Sequence, residues 1–247
     1  MDPAPPIIEP SATATILPID RAAAALEVIL CSGFPTQIVV ITILTLLGMK
    51  VRLADGQLSP PFVFALTLLD TIVLVGLVVF FLRMHRESVR DLFGLRPKAR
   101  EILFGLALIP ASFFVVIFVL LVVQLVVPGL RNVPHNPLQD LVRDRRDAVV
   151  FAFVVMIAGG VREEIQRGFV LRRFEQYLGG GAVGLVIFSA LFGLGHLEQG
   201  RDVALATGIL GAFWGAIFLR RRSIVGPMVG HAGFNLLQVM KFLTLRG

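Results

Sequence analysis

The chain alternates long apolar runs with short polar segments, and this alternation predicts helices that cross a membrane. A helix needs about 20 predominantly apolar residues to span the hydrocarbon core of a bilayer. The first run is interrupted at Gly33 and Pro35, so it forms either one kinked span or an interfacial helix followed by a short span. We predict an all-α, polytopic transmembrane bundle of about seven, or eight, helices. The runs cover residues 22–47, 61–82, 102–127, 148–171, 182–197, 203–219 and 224–243.

The composition is also typical of a membrane protein. The chain is 56% hydrophobic and only 16% charged, whereas soluble domains are about 45–50% apolar and about 25% charged. Its net charge of +6 resides largely in loops, such as 83–100 and 220–222, where anionic lipid headgroups attract basic side chains. We therefore expect membrane lipid, and no nucleic acid, as a partner. The same bias predicts that the N-terminus lies in the cytoplasm. We expect the membrane to be a bacterial inner (plasma) membrane.

The two halves of the chain differ in their polar content. Residues 1–20 are rich in proline and predict a disordered tail, and residues 21–147 predict N-terminal transmembrane helices without a motif. Asp70 lies alone in an apolar run, and we interpret it as a helix-packing or boundary group. Residues 148–247 carry the remaining polar groups within apolar runs and predict the core that performs the chemistry.

Ionisable side chains interrupt the apolar runs of the second half at three places. A charged side chain at bilayer depth costs about 2.5–3.5 kcal/mol on insertion scales, so it usually has a partner and a function. On a helix, Arg167 shares a face with Glu163 (i,i+4) and Glu164 (i,i+3), so it can hold one carboxylate while the other stays free. The three segments are Val161–Arg167 (VREEIQR), Phe192–His196 (FGLGH) and His231–Asn235 (HAGFN).

These side chains suit two mechanisms of hydrolysis. In one, a glutamate and His196 activate water as a general base, Phe192 forms an aromatic wall beside His196, and His231 and Asn235 stabilise the oxyanion. In the other, Glu163, His196 and His231 bind Zn²⁺, because two histidines and one carboxylate leave a coordination position open for water. The chain has no HExxH motif, so three separate helices would have to supply these ligands.

Three segments carry a family resemblance: EEIQRG at 163–168, SALFGLGH at 189–196 and SIVGPMVGHAGFN at 223–235. In order and spacing they resemble the motifs EExxxR, FxxxH and HxxxN/D of the CPBP family, the CAAX-processing and bacteriocin-processing (Abi) intramembrane endopeptidases. The resemblance covers about residues 148–243. It implies hydrolysis of a peptide bond in a membrane-associated protein or peptide, by a metal-dependent or a glutamate-dependent enzyme.

The resemblance also implies roles for individual residues. Phe192, His196, His231 and Asn235 match position for position, but the first motif is one residue short, since only two residues separate Glu164 from Arg167. Glu163 belongs to the glutamate pair in either alignment of this motif, so we expect it to activate water, with Glu164 as the alternative. Arg167 would orient the carboxylate.

A second interpretation is a non-catalytic membrane scaffold or a transporter-like protein that keeps the same fold. The glutamates and Arg167 also fit a structural ion pair, and intramembrane charges serve ion pathways as well. A transporter is expected to have paired halves, whereas the polar groups here lie in one half, which favours the enzyme. Strict alternation of full-length spans would place His196 towards the opposite side of the membrane from Glu163 and His231. Broken or tilted helices around a central aqueous cavity would instead bring the three residues together.

Overall fold

The predicted all-α bundle is confirmed. The computed structural model describes residues 17–95, 97–134 and 136–246. Residues 1–16 of the predicted tail lie outside the described residues, and its last three residues instead form the first turn of α1, which begins at Pro18. The helices are α1 (Pro18–Leu30), α2 (Phe34–Leu46), α3 (Pro60–Met84), α4 (Val89–Phe93), α5 (Ala99–Val126), α6 (Arg145–Val155), the π-helical segment Met156–Glu163, α7 (Glu164–Tyr177), α8 (Gly181–Leu194), α9 (Arg201–Arg221) and α10 (Val225–Arg246).

The break predicted in the first apolar run separates α1 from α2. Gly33 has a φ of +90°, a left-handed conformation that other residues rarely adopt, and Pro35 follows within the first turn of α2. The two helices bend by 43° at this point. The break therefore leaves polar backbone groups at this point in the bundle, where a side chain from another helix can reach them.

The helices differ in whether they can cross a membrane. By length and composition α3, α5 and α9 can do so, and the bent pair α1–α2 makes a fourth span if it is counted as one. The run predicted at 148–171 is not one regular helix, because the π-helical segment divides α6 from α7. The span predicted at 182–197 is also too short: α8 has 14 residues, or about 21 Å against about 30 Å of hydrocarbon.

The interior of the bundle is built around α10, and its exterior is apolar. α10 packs against α5, α6 and the π-helical segment, while α9 packs against α8 and α5. Large apolar side chains point outward, and Leu46 and Leu125 are each 82% exposed. Such extensive apolar surface is unfavourable in water but suits contact with lipid tails. The chain is therefore an integral membrane protein.

A buried ionic network ties α7 to the N-terminal helices. Arg173 donates from Nε to Glu27 of α1 (2.6 Å) and from Nη1 and Nη2 to Glu87, which follows α3 (2.9 and 2.7 Å). His85 Nε2 lies 2.5 Å from the other oxygen of Glu27. Burial alone would raise the pKa of Glu87, but the hydrogen bonds and charge of Arg173 bring it below its ordinary value. This network fixes α7, and with it the segment that precedes it.

We expect Arg173→Met to destabilise the protein by about 3–5 kcal/mol, because it removes the guanidinium from the buried carboxylate of Glu27. The measurement is the free energy of unfolding in detergent micelles. Arg220→Met is the control, since Arg220 is exposed on α9, and it should change stability by less than about 0.5 kcal/mol. Equal stability of the two variants would contradict a structural role for the network.

Candidate active site

Consecutive side chains diverge where the π-helical segment joins α7. The i→i+5 hydrogen bonds of a π-helix widen the turn, and such segments occur frequently at functional sites. Glu163 is the last residue of the π-helical segment, and Glu164 is the first residue of α7. The two neighbouring glutamates consequently have different surroundings: the side chain of Glu163 is 17% exposed and that of Glu164 only 1%.

Glu164 is the carboxylate that is held in place. Its Oε1 accepts a hydrogen bond from Arg167 Nη1 one turn later on α7 and lies 2.8 Å from His231 Nδ1 on α10. All three residues are buried, with exposures of 1%, 0% and 4%. A carboxylate this deeply buried is tolerated only when it is paired and hydrogen-bonded. The i,i+3 spacing thus produces the predicted contact, and Arg167 holds Glu164 rather than Glu163.

Aromatic rings surround the guanidinium of Arg167. Its central carbon lies 5.0 Å from the ring centroid of Phe192 and 5.5 Å from those of Phe188 and Trp214. Its Nε and Nη2 have no hydrogen-bond partner among the described residues. The electron-rich faces of the rings therefore stabilise the part of the charge that Glu164 does not reach.

Trp214 of α9 orients His231, a role that the sequence did not suggest. The two rings stack with centroids 3.8 Å apart and an angle of 24° between their planes. The indole Nε1 donates to Ser112 on α5 at 3.2 Å, and the hydroxyl of Ser112 in turn donates to the carbonyl of Leu108. One ring nitrogen of His231 is thus fixed by Glu164 and its ring plane by Trp214, so that Nε2 is left to face other groups.

Glu163 is the carboxylate that reaches the cavity. Its Oε2 lies 3.6 Å from His231 Nε2, a separation at which one water molecule can contact both atoms. The cavity has a volume of about 320 Å³, and Glu163, Phe192, His196, His231 and Asn235 all line it. Glu164 and Arg167 lie behind this wall. The structure therefore brings five of the seven predicted site residues to one cavity.

His196 reaches the cavity because α8 is short. Its ring lies beside that of Phe192, with centroids 4.9 Å apart, as their spacing predicts. His196 Nδ1 lies 2.8 Å from the carbonyl oxygen of Phe192. That oxygen only accepts, so Nδ1 is the donor and Nε2 remains as an acceptor in the neutral ring. Glu163, His196 and His231 therefore line one cavity, although strict alternation of full-length spans would separate them, because α8 is shorter than a full span.

The zinc site that the sequence suggests stays a prediction. Within the described part of the chain, no three His, Cys, Asp or Glu side chains are arranged to hold a metal ion. Of the proposed ligands, Glu163 and His231 approach each other. The contact of His231 Nδ1 with Glu164 leaves Nε2 free, and a carboxylate commonly orients a metal-binding histidine in this way.

Asp70 does have a partner, contrary to our interpretation of the sequence. It accepts a hydrogen bond from Arg162, the residue before Glu163, and both are buried. The pair joins α3 to the π-helical segment across 92 positions of sequence. Periodicity within one helix could not reveal a contact over this distance.

Comparison with known proteins finds a family whose sequence model matches the segment that forms this site. Residues 145–237, which run from the start of α6 into α10, match the family model described as type II CAAX prenyl endopeptidase Rce1-like. This match confirms the resemblance to the CPBP family. The matched segment contains all of the predicted site residues, and the family is one of proteases. Searches among curated proteins and among solved structures found no match.

We expect Gly159→Ala to lower proteolytic turnover about 10-fold or more with little loss of stability, because small displacements of reacting groups are costly. A Cβ at this position would lie 2.1 Å from Asn235 Nδ2 and 3.3 Å from His231 Nε2, so the amide must leave its position. The measurements are the kcat and the thermal unfolding temperature of the variant and of the wild-type protein. Gly76→Ala on α3 is the control, since its Cβ would meet nothing within 4 Å. Unchanged kcat in Gly159→Ala would contradict a role for Asn235.

Proposed function

We propose that this protein is an intramembrane endopeptidase of the CAAX protease type, in which Glu163 is the general base. It would hydrolyse a peptide bond of a membrane-associated protein or peptide. The observation that carries the proposal is the different surroundings of the two glutamates. Glu164 Oε1 is engaged by Arg167 and His231, whereas Glu163 lines the cavity with its Oε2 3.6 Å from His231 Nε2. The match to a CAAX prenyl endopeptidase family supports the reaction type.

The proposed reaction begins with a water molecule in the cavity. Glu163, assisted by the acceptor nitrogen of His196, removes a proton from this water, whose oxygen then forms a bond to the carbonyl carbon of the peptide. His231 and Asn235 donate hydrogen bonds to the resulting oxyanion. When the tetrahedral intermediate collapses, the C–N bond breaks and the proton held by Glu163 passes to the leaving amine.

The charges of the site suit this sequence of steps. With His231 doubly protonated, it and Arg167 carry two positive charges, which Glu163 and Glu164 balance. When Glu163 takes the proton from water, its negative charge is replaced by that of the oxyanion, so the total does not change. Groups that already point at the developing charge need no reorganisation, and such electrostatic stabilisation is usually the largest catalytic contribution.

We expect Glu163→Gln to lower kcat about 10²- to 10⁴-fold, because an amide cannot accept the proton. Its unfolding free energy should stay within about 0.5 kcal/mol of wild type. Glu164→Gln should instead destabilise the protein by about 3–5 kcal/mol, since Arg167 loses its buried partner. The measurement is cleavage of a farnesylated CAAX peptide in liposomes, with an unprenylated peptide alongside.

The control for both variants is Glu198→Gln, which alters an exposed glutamate just after His196. It should retain wild-type turnover and stability. Full proteolysis by Glu163→Gln would overturn the proposed base. A stable Glu164→Gln variant without turnover would assign the chemistry to Glu164. A wild-type protein that cleaves neither peptide would favour the scaffold.

A further inference from the structure

The ion pair between Asp70 and Arg162 has no evident role in stability. Arg162 Nη2 donates to Asp70 Oδ2, and the two residues are 8% and 3% exposed. Arg162 Nε and Asp70 Oδ1 have no hydrogen-bond partner among the described residues. Replacing a buried ion pair by apolar side chains is often neutral or stabilising, since desolvation offsets the attraction. An incompletely satisfied pair at this depth therefore needs another explanation.

The break between α1 and α2 covers the same guanidinium. A Cβ on Gly33 would lie 2.9 Å from Arg162 Nη2 and 3.1 Å from Gln166 Nε2, so only a glycine leaves room for both side chains. Gln166 Nε2 donates to the carbonyl of Cys31 at 3.0 Å. Arg162 is thus held between the carboxylate of α3 and the backbone of the break.

Glu163 consequently lies between two anchored neighbours. On one side Arg162 is tied to Asp70, and on the other Glu164 is tied to Arg167 and His231. Rotation of the π-helical segment about its axis would break one of these pairs. The direction of Glu163 is therefore fixed by its neighbours, although its own carboxylate is partly exposed to the cavity.

We propose that Asp70 and Arg162 are positioning residues that aim the carboxylate of Glu163 at His231 and the water between them. The inference rests on the proposed function, because it concerns the orientation of the same base. Arg162 lies on the wall of a second cavity of about 100 Å³, which Glu163 and His196 also line. Loss of the pair would let Glu163 turn towards this second cavity and away from His231.

The test is the double variant Asp70→Leu/Arg162→Met in the full-length protein, reconstituted in liposomes. It removes both charges together, since Asp70→Asn alone would leave Arg162 buried without its partner. We expect its thermal stability to equal or exceed that of wild type. We expect kcat to fall about 10- to 100-fold, because displacement of a reacting group by about 1 Å has this effect, with KM unchanged.

The control is Glu101→Leu/Arg221→Met, which removes another interhelical ion pair, between α5 and α9, that does not line either cavity. Its kcat should equal that of wild type. Unchanged kcat in the Asp70/Arg162 double variant would overturn the inference. An equal loss of kcat in both double variants would also overturn it, because turnover would then depend on interhelical ion pairs in general and not on this pair.

A second readout does not depend on proteolysis. A structure of the double variant in a lipid nanodisc should show the Glu163 carboxylate turned away from His231 Nε2, from which Glu163 Oε2 lies 3.6 Å in the wild-type protein. The Glu101/Arg221 double variant should keep the wild-type arrangement. Displacement of Glu163 in the Asp70/Arg162 double variant alone supports positioning even if wild type cleaves no peptide, which would refute only the proposed function. An undisplaced Glu163 overturns the inference.

Discussion

The buried carboxylate of Glu164 is the constraint on which the site depends. Away from water it must be compensated, and Arg167 and His231 provide this from α7 and α10. The contact fixes the two helices relative to each other and determines which nitrogen of the His231 ring remains free. Trp214 and Phe192 then enclose the remaining charge of Arg167. Glu163 is free for the proposed chemistry because Glu164 makes the structural contacts with Arg167 and His231.

The π-helical segment makes this division between adjacent residues feasible. In a regular α-helix, the side chains of consecutive residues point about 100° apart. The segment Val161–Arg167 must direct side chains to α3, to the α1–α2 break, to the cavity and to α10 within two turns. The wider π turn and the close approach of Gly159 to Asn235 bring the segment against α10. Short α8 completes the site by ending where His196 can join the same cavity.

Much of the fold and part of the site could be predicted from the sequence. Apolar runs gave the helical bundle, Gly33 and Pro35 marked the break, and i,i+3 and i,i+4 spacings paired Glu164 with Arg167 and Phe192 with His196. Contacts between distant segments could not be predicted, because no periodicity links Asp70 to Arg162 or Trp214 to His231. Hydropathy also overestimated the length of α8, since glycines and loop residues extend its apolar run.

A structure of Glu163→Gln with a bound substrate peptide in a lipid nanodisc would test the central claim most directly. The account predicts that the scissile carbonyl oxygen accepts hydrogen bonds from His231 Nε2 and Asn235 Nδ2, at about 2.7–3.1 Å. The amide of the substituted residue would face the carbonyl carbon, and Glu164 would remain on Arg167. A peptide bound with its carbonyl against Glu164, or outside the cavity that His231 lines, would contradict the account.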